Sequence, residues 1–145
     1  MGSDEKTALT DALLEELKAR GHELVLFGPL AANDPDVDWP LTSAHVARAV
    51  ATARADQGIV CCWTGTGASI AANKVRGIRA ALCHDAETAR GARKWNAANV
   101  LAISLRATTP AIAKEILDAW FATAADTDAW NEEQLARLRE LDDQG

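Results

Sequence analysis

Gly58-Ile-Val-Cys-Cys-Trp-Thr-Gly-Thr-Gly-Ala-Ser-Ile-Ala-Ala-Asn-Lys74 is the stretch that decides the fold. Gly58 to Cys62 is apolar without alternation, the mark of a strand buried on both faces of a sheet. Gly65 and Gly67 then allow a tight turn with open backbone, and the small residues from Ala68 or Ser69 onward start a helix. Peptide N–H groups at such a helix start converge on an oxyanion or a phosphate. Ligands of open α/β sheets bind at this carboxyl edge, so Cys62 stands at the rim of an anion-binding turn. A dinucleotide loop needs a third glycine where Ile70 stands, and a nucleotide-hydrolase loop needs Gly-Lys followed by Ser or Thr. No cofactor is expected.

Outward from this stretch the pattern alternates. Ile78 to Cys83 and Val100 to Ser104 read as strands, Gly67 to Val75, Ala86 to Trp95 and Pro110 to Thr123 as helices. On the other side, Leu9, Leu13, Leu14 and Leu17 repeat at helical spacing from Thr7 to Arg20, and Gly21 ends that helix. Glu23 to Phe27 reads as a strand closed by Gly28-Pro29. Ala31 to Pro40 is a loop, and Thr42 or Ser43 caps a helix running to Ala53, with Val46, Ala49 and Val50 on its apolar face. A last helix over Asp126 to Leu141 presents Trp130, Leu135, Leu138 and Leu141. The expected fold is therefore α/β, a doubly wound, Rossmann-like parallel sheet of about five strands in three α/β/α layers, with a C-terminal helix. It forms one domain over residues 1–145. Because Met1-Gly2-Ser3-Asp4 leads almost at once into a helix, the first strand reads as truncated at the N-terminus.

The composition, 48% hydrophobic and 25% charged, is that of a globular domain. A net charge of −6 argues against nucleic acid as a partner. No apolar run approaches the roughly 18 residues of a membrane span, and no leader opens the chain. A soluble cytoplasmic protein is the expectation. Cys61, Cys62 and Cys83 are odd in number and lack zinc or disulfide spacing, so they read as free thiols. His22, His45 and His84 are scattered singly, which gives no support to a metal site.

The run Cys62 to Lys74, followed by Gly77-Ile78-Arg79-Ala80-Ala81, resembles the signature of the ribose-5-phosphate isomerase B and galactose-6-phosphate isomerase family. Further matches are Gly2-Ser3-Asp4, Gly21-His22-Glu23, Asp38-Trp39-Pro40, Cys83-His84-Asp85, Asn96 to Leu101, and Ala113 to Ile116 before Trp120. The resemblance implies aldose–ketose isomerisation through an enediolate without metal or cofactor. It makes Cys62 the base and the Thr64 to Gly67 loop, Thr64 and Thr66 included, the holder of the oxyanion. A thiol at a helix start has its thiolate favoured by the dipole, which suits that role. It further implies that Asp4, Trp63, Trp95, Asn96 and Arg106 meet the substrate, a sugar or sugar phosphate, and that two subunits of a homodimer share each active site. Some family members use a glutamate after the glycines, where Ala68 stands here.

Several positions depart from the family. Glu5 follows Asp4 where a histidine is usual, Trp63 replaces a glycine, and Trp95 replaces the ring-opening histidine. Ala129 and Glu133 fall where two arginines clamp the phosphate, unless Arg137 and Arg139 substitute. A carboxylate there repels a phosphate dianion, so the substrate can differ from a standard sugar phosphate. The alternative reading is an inactive or repurposed ligand-binding homologue whose pocket is lined by Trp39, Trp63 and Trp95.

Overall fold

The computed structural model describes all 145 residues. The elements in chain order are β1 (Gly2–Ser3), α1 (Ala8–Ala19), a 3₁₀ turn (Gly28–Leu30), α2 (Trp39–Ala51), β2 (Gly58–Cys62), α3 (Thr66–Asn73), β3 (Ala80–Leu82), α4 (Ala86–Asn96), β4 (Val100–Ser104), α5 (Pro110–Ala122) and α6 (Ala129–Gln144). All strand pairs are parallel and the order across the sheet is β1-β2-β4-β3. β2 and β4 are buried along their whole length, as expected of strands covered on both faces.

Alternating side chains of the strands feed two cores. Cys61, Leu101 and Ile103 pack with Leu13, Leu17, Ile116 and Trp120 under α1, α4 and α5. Val60, Cys62, Val100 and Ala102 pack with Val46, Ala68 and Ala72 under α2 and α3. The buried Trp120 indole donates to Gln57 Oε1 at 2.7 Å, which satisfies its one polar atom.

The sheet has four strands rather than about five, and the difference lies at Glu23 to Phe27. That segment forms a single bridge, Phe27 with Gly2, and no continuous strand. It runs beside the start of the chain: the Met1 ammonium donates to Val25 O at 2.7 Å and Phe27 N–H donates to Met1 O at 3.1 Å. Its only pairing in the sheet is the bridge of Phe27 to Gly2. A cleft of about 380 Å³ lies there, lined among others by Met1, Leu24, Val25, Gln57 and Ile59. The first strand is present as Gly2–Ser3, in register with Val60 and Cys61.

α2 begins at Trp39, before the expected cap at Thr42 or Ser43. Pro40 presets the backbone in the first turn, and the Thr42 hydroxyl donates to Asp36 O at 3.1 Å instead of capping. In α6 only Leu135 of the four expected apolar positions is buried. Trp130 and Leu141 are exposed.

Candidate active site

The direction of the chain changes between β1 and β2. From β1 the chain leaves to the side of Phe27, whereas from β2 it crosses to β3 and β4 on the other side. A crevice opens at such a switch point outside the carboxyl ends of the strands. The loop after β1, with Asp4, and the loop after β2, with Trp63 to Gly65, form its walls.

The β2 loop is held from below. Leu105 and Arg106 N–H donate to Cys62 O and Trp63 O, each at 3.0 Å, and the buried Ser104 hydroxyl also donates to Trp63 O at 3.0 Å. Gly65 caps α3 with φ +79°, a conformation that L side chains rarely adopt. A Cβ there would stand 2.6 Å from Leu82 Cδ1 and 2.9 Å from Ser104 N, so this position has no room for any other residue. The Thr64 and Thr66 hydroxyls share a hydrogen bond of 2.8 Å. The N–H groups of Thr66, Gly67 and Ala68 start the helix and have no acceptor in the chain. Three open donors at a positive helix end can receive an oxyanion.

Cys62 lies beside this turn with 6% of its surface accessible. Cys61 faces the other core, and burial pushes its thiol up to about 12; Cys83 is pushed to the same value, first by burial and then by Asp85. Those two are inert structural thiols. Trp39, at the start of α2, lies against Gly67, where a Cβ would come within 3.0 Å of its ring. Trp63 is 58% exposed next to Cys62, and Arg106 is exposed after β4 on the same edge.

Asp4 follows Ser3 in the first loop. The Ser3 hydroxyl donates to Glu5 O at 2.6 Å and accepts from Glu5 N at 3.2 Å, which fixes the turn around it. Desolvation, more than the neighbouring Glu5 and Asp38, raises the Asp4 carboxyl above the ordinary range, against the lowering effect of its own backbone N–H.

The fold does not bring every expected residue to this crevice. α4 starts at the carboxyl edge after β3 and spans eleven residues, about 16 Å. Trp95 and Asn96 at its end therefore lie at the amino edge, opposite Cys62. Asn96 lines a cleft of about 250 Å³ there with Asn73, Arg79, Leu138 and Arg139. Arg137 pairs with Glu133 on α6 at the same edge. The three main clefts of the chain all lie away from Cys62.

One cluster was not legible from spacing. Asp34, Asp36 and His45 bring a ligand atom each within 4.8 Å of one another. Asp34 already accepts the Gly28 and Asp36 N–H groups at 2.8 and 2.9 Å, and these bonds, Gly28 first, hold its carboxyl low. The cluster ties the loop before α2.

A family model described as Ribose/Galactose Isomerase matches residues 1–138. A D-erythrulose-4-phosphate isomerase of Pectobacterium atrosepticum is 48% identical over 94 residues, 65% of this chain and 60% of that protein. A ribose-5-phosphate isomerase B of Escherichia coli is 40% identical over 112 residues, covering 77% of this chain and 74% of that one. The chain thus spans less than two thirds of the Pectobacterium relative's length. The solved ribose-5-phosphate isomerase B of Clostridium thermocellum superposes with a TM-score of 0.89 at 36% identity, over 99% of this chain and 95% of that one.

Proposed function

Because the chain belongs to the ribose/galactose isomerase family, we propose that it interconverts an aldose and a ketose phosphate by proton transfer through an enediolate, with Cys62 as the carbon base. The observation that carries this reading is the position of Cys62 at the end of β2, beside three peptide N–H groups that lack acceptors. A base next to preorganised donors is what enolisation requires: one group removes the C–H proton while the others receive the charge that develops on oxygen. Neither step calls for a metal or an organic cofactor, and the proposal includes none. Thr64 joins the donor turn through its bond to Thr66, and Arg106 offers a cation for the substrate on the same edge.

A homodimer completes the site in this reading. Trp39, Leu41, Trp63 and Ile70 are large apolar side chains left 42 to 60% exposed around the crevice, which a second copy would cover. Trp95, Asn96 and the arginines of α6 would then serve the crevice of the partner.

The three sugar phosphates that suit the relatives' names, ribose 5-phosphate, erythrulose 4-phosphate and galactose 6-phosphate, form the substrate panel. Wild type should turn over at least one, and Cys62→Ala should lower kcat/KM by about 10³-fold or more. Undiminished activity in Cys62→Ala would remove the base. The exposed Trp63 favours the second reading, a binding protein for sugars. Ligand-induced change in tryptophan fluorescence with no turnover of any panel member supports that reading instead.

A further inference from the structure

An aldose–ketose conversion moves two protons, one bound to carbon and one bound to oxygen, and Cys62 accounts only for the first. The structure offers a second proton carrier across the crevice. β1 and β2 run parallel with Gly2 opposite Val60 and Ser3 opposite Cys61. Asp4 follows directly on the end of β1, and Cys62 ends the neighbouring β2, so both stand at the carboxyl edge of adjacent parallel strands. Asp4 Oδ1 is shut off from water and meets no donor in the chain. The Ser3 hydroxyl holds the backbone on either side of Asp4 with two hydrogen bonds to Glu5. The charged groups that face it are Glu5 in its own loop, Asp38 at the start of α2 and the Cys61 thiol of β2, all acids. No cation pairs with it, and desolvation raises its carboxyl above the ordinary range.

We propose that Asp4 is the oxygen-proton shuttle of the isomerisation, standing beside Cys62 at the switch point of the sheet; this rests on the reading of Cys62 as carbon base. The Cys62 thiolate takes the proton from C2 of the aldose while the Asp4 O–H protonates O1, which gives the enediol. The Asp4 carboxylate then takes the proton from O2 as the Cys62 thiol returns its proton to C1. The ketone forms at C2, and both side chains end as they began. None of the imidazoles competes for this role, since His45 pairs with Asp36 at 3.4 Å, His22 stacks on Phe121 at 4.4 Å, and His84 follows β3, two strand spacings from β2.

The test compares deuterium wash-in at the aldose C2 with net conversion in D₂O, for wild type, Asp4→Asn, Asp4→Glu and Thr64→Val, on the panel member that wild type turns over. Asp4→Asn should slow conversion about 100-fold while wash-in falls less than about tenfold, because Cys62 still exchanges the carbon proton but the oxygen proton has no carrier. Asp4→Glu should restore part of the conversion, and Thr64→Val should leave the ratio of the two rates unchanged. A purely structural role for Asp4 would lower both rates together, and that result overturns the proposal. So does conversion by Asp4→Asn within threefold of wild type, or a changed ratio in Thr64→Val alone. If wild type turns over but Cys62→Ala still washes in deuterium at the full rate, the base assignment fails on its own terms. If wild type catalyses no wash-in, the carbon base and the shuttle are both removed.

Discussion

The two ends of the β1–β2 pair bury polar groups of opposite meaning. At the carboxyl end the helix α3 presents three N–H groups without acceptors and Asp4 keeps a buried oxygen without a donor. At the amino end the Met1 amine is buried against Val25 O, beside a largely apolar cleft. A ligand oxygen can satisfy the first set, so their cost to the empty protein is recovered on binding. Nothing at the amino end has that prospect. There burial lowers the amine from 8.0 to about 6, with the Cys61 thiol opposing, and the only effect is on stability. The contrast teaches that buried polar groups left without partners at a switch point bear on function, whereas a buried charge already paired with a carbonyl bears on stability.

Three perturbations test that contrast. The largest effect is expected at the carboxyl end from Gly65→Ala, which puts a Cβ within 2.9 Å of the Ser104 amide at φ +79°. The main chain of β4 cannot yield, so denaturant unfolding should show a loss of about 3 kcal/mol, and the N–H turn should lose its aim. A loss below about 1 kcal/mol would mean that the turn is soft and the donors are not preorganised.

The next effect belongs to the amino end. With the folded amine near 6 and the free amine at 8.0, the unfolded chain binds the extra proton between those values while the folded chain does not. The stability is complete above pH 8 and falls as pH drops towards 6, by about 2 kcal/mol from this group. Acetylating the amine should flatten the pH 6 to 8 dependence of unfolding, and an unchanged slope would assign it elsewhere.

The smallest effect comes from filling the void. Joining Val-Ile-Val to the Met1 nitrogen lays apolar chain in the cleft between Val25 and Ile59 and turns the amine into a peptide N–H. Tm at pH 7 should rise by about 5 °C. A Gly-Ser-Gly extension should remove the pH dependence and leave the rise largely absent. Equal rises from both would show that the charge, and not the cavity, limits this end.

Strands β2 and β4 were legible residue for residue, because both faces are covered and the apolar run starts and stops where burial does. The turn from Thr64 to Gly67 was legible for a related reason: only glycine tolerates φ +79° against the end of β4. Glu23 to Phe27 misled, since its composition suits a strand but only Phe27 finds a bridge partner, Gly2. The cap of α2 misled because Thr42 had a better partner, a carbonyl six residues back in the loop. The open donors of the helix start were legible from the glycine turn, whereas the buried oxygen of Asp4 left no trace in spacing.

Local chemistry in the chain settles the class of fold, the buried strands, the glycine turn and the presence of Cys62 beside it, because each depends on residues a few positions apart. Which of the remaining residues share the crevice follows only from topology. Asp4, 58 residues away, stands at the same carboxyl edge as Cys62 because β1 pairs with β2 in parallel register. Trp95 and Asn96, half as distant in sequence, stand at the opposite edge because a helix that returns between parallel strands must end where the next strand begins.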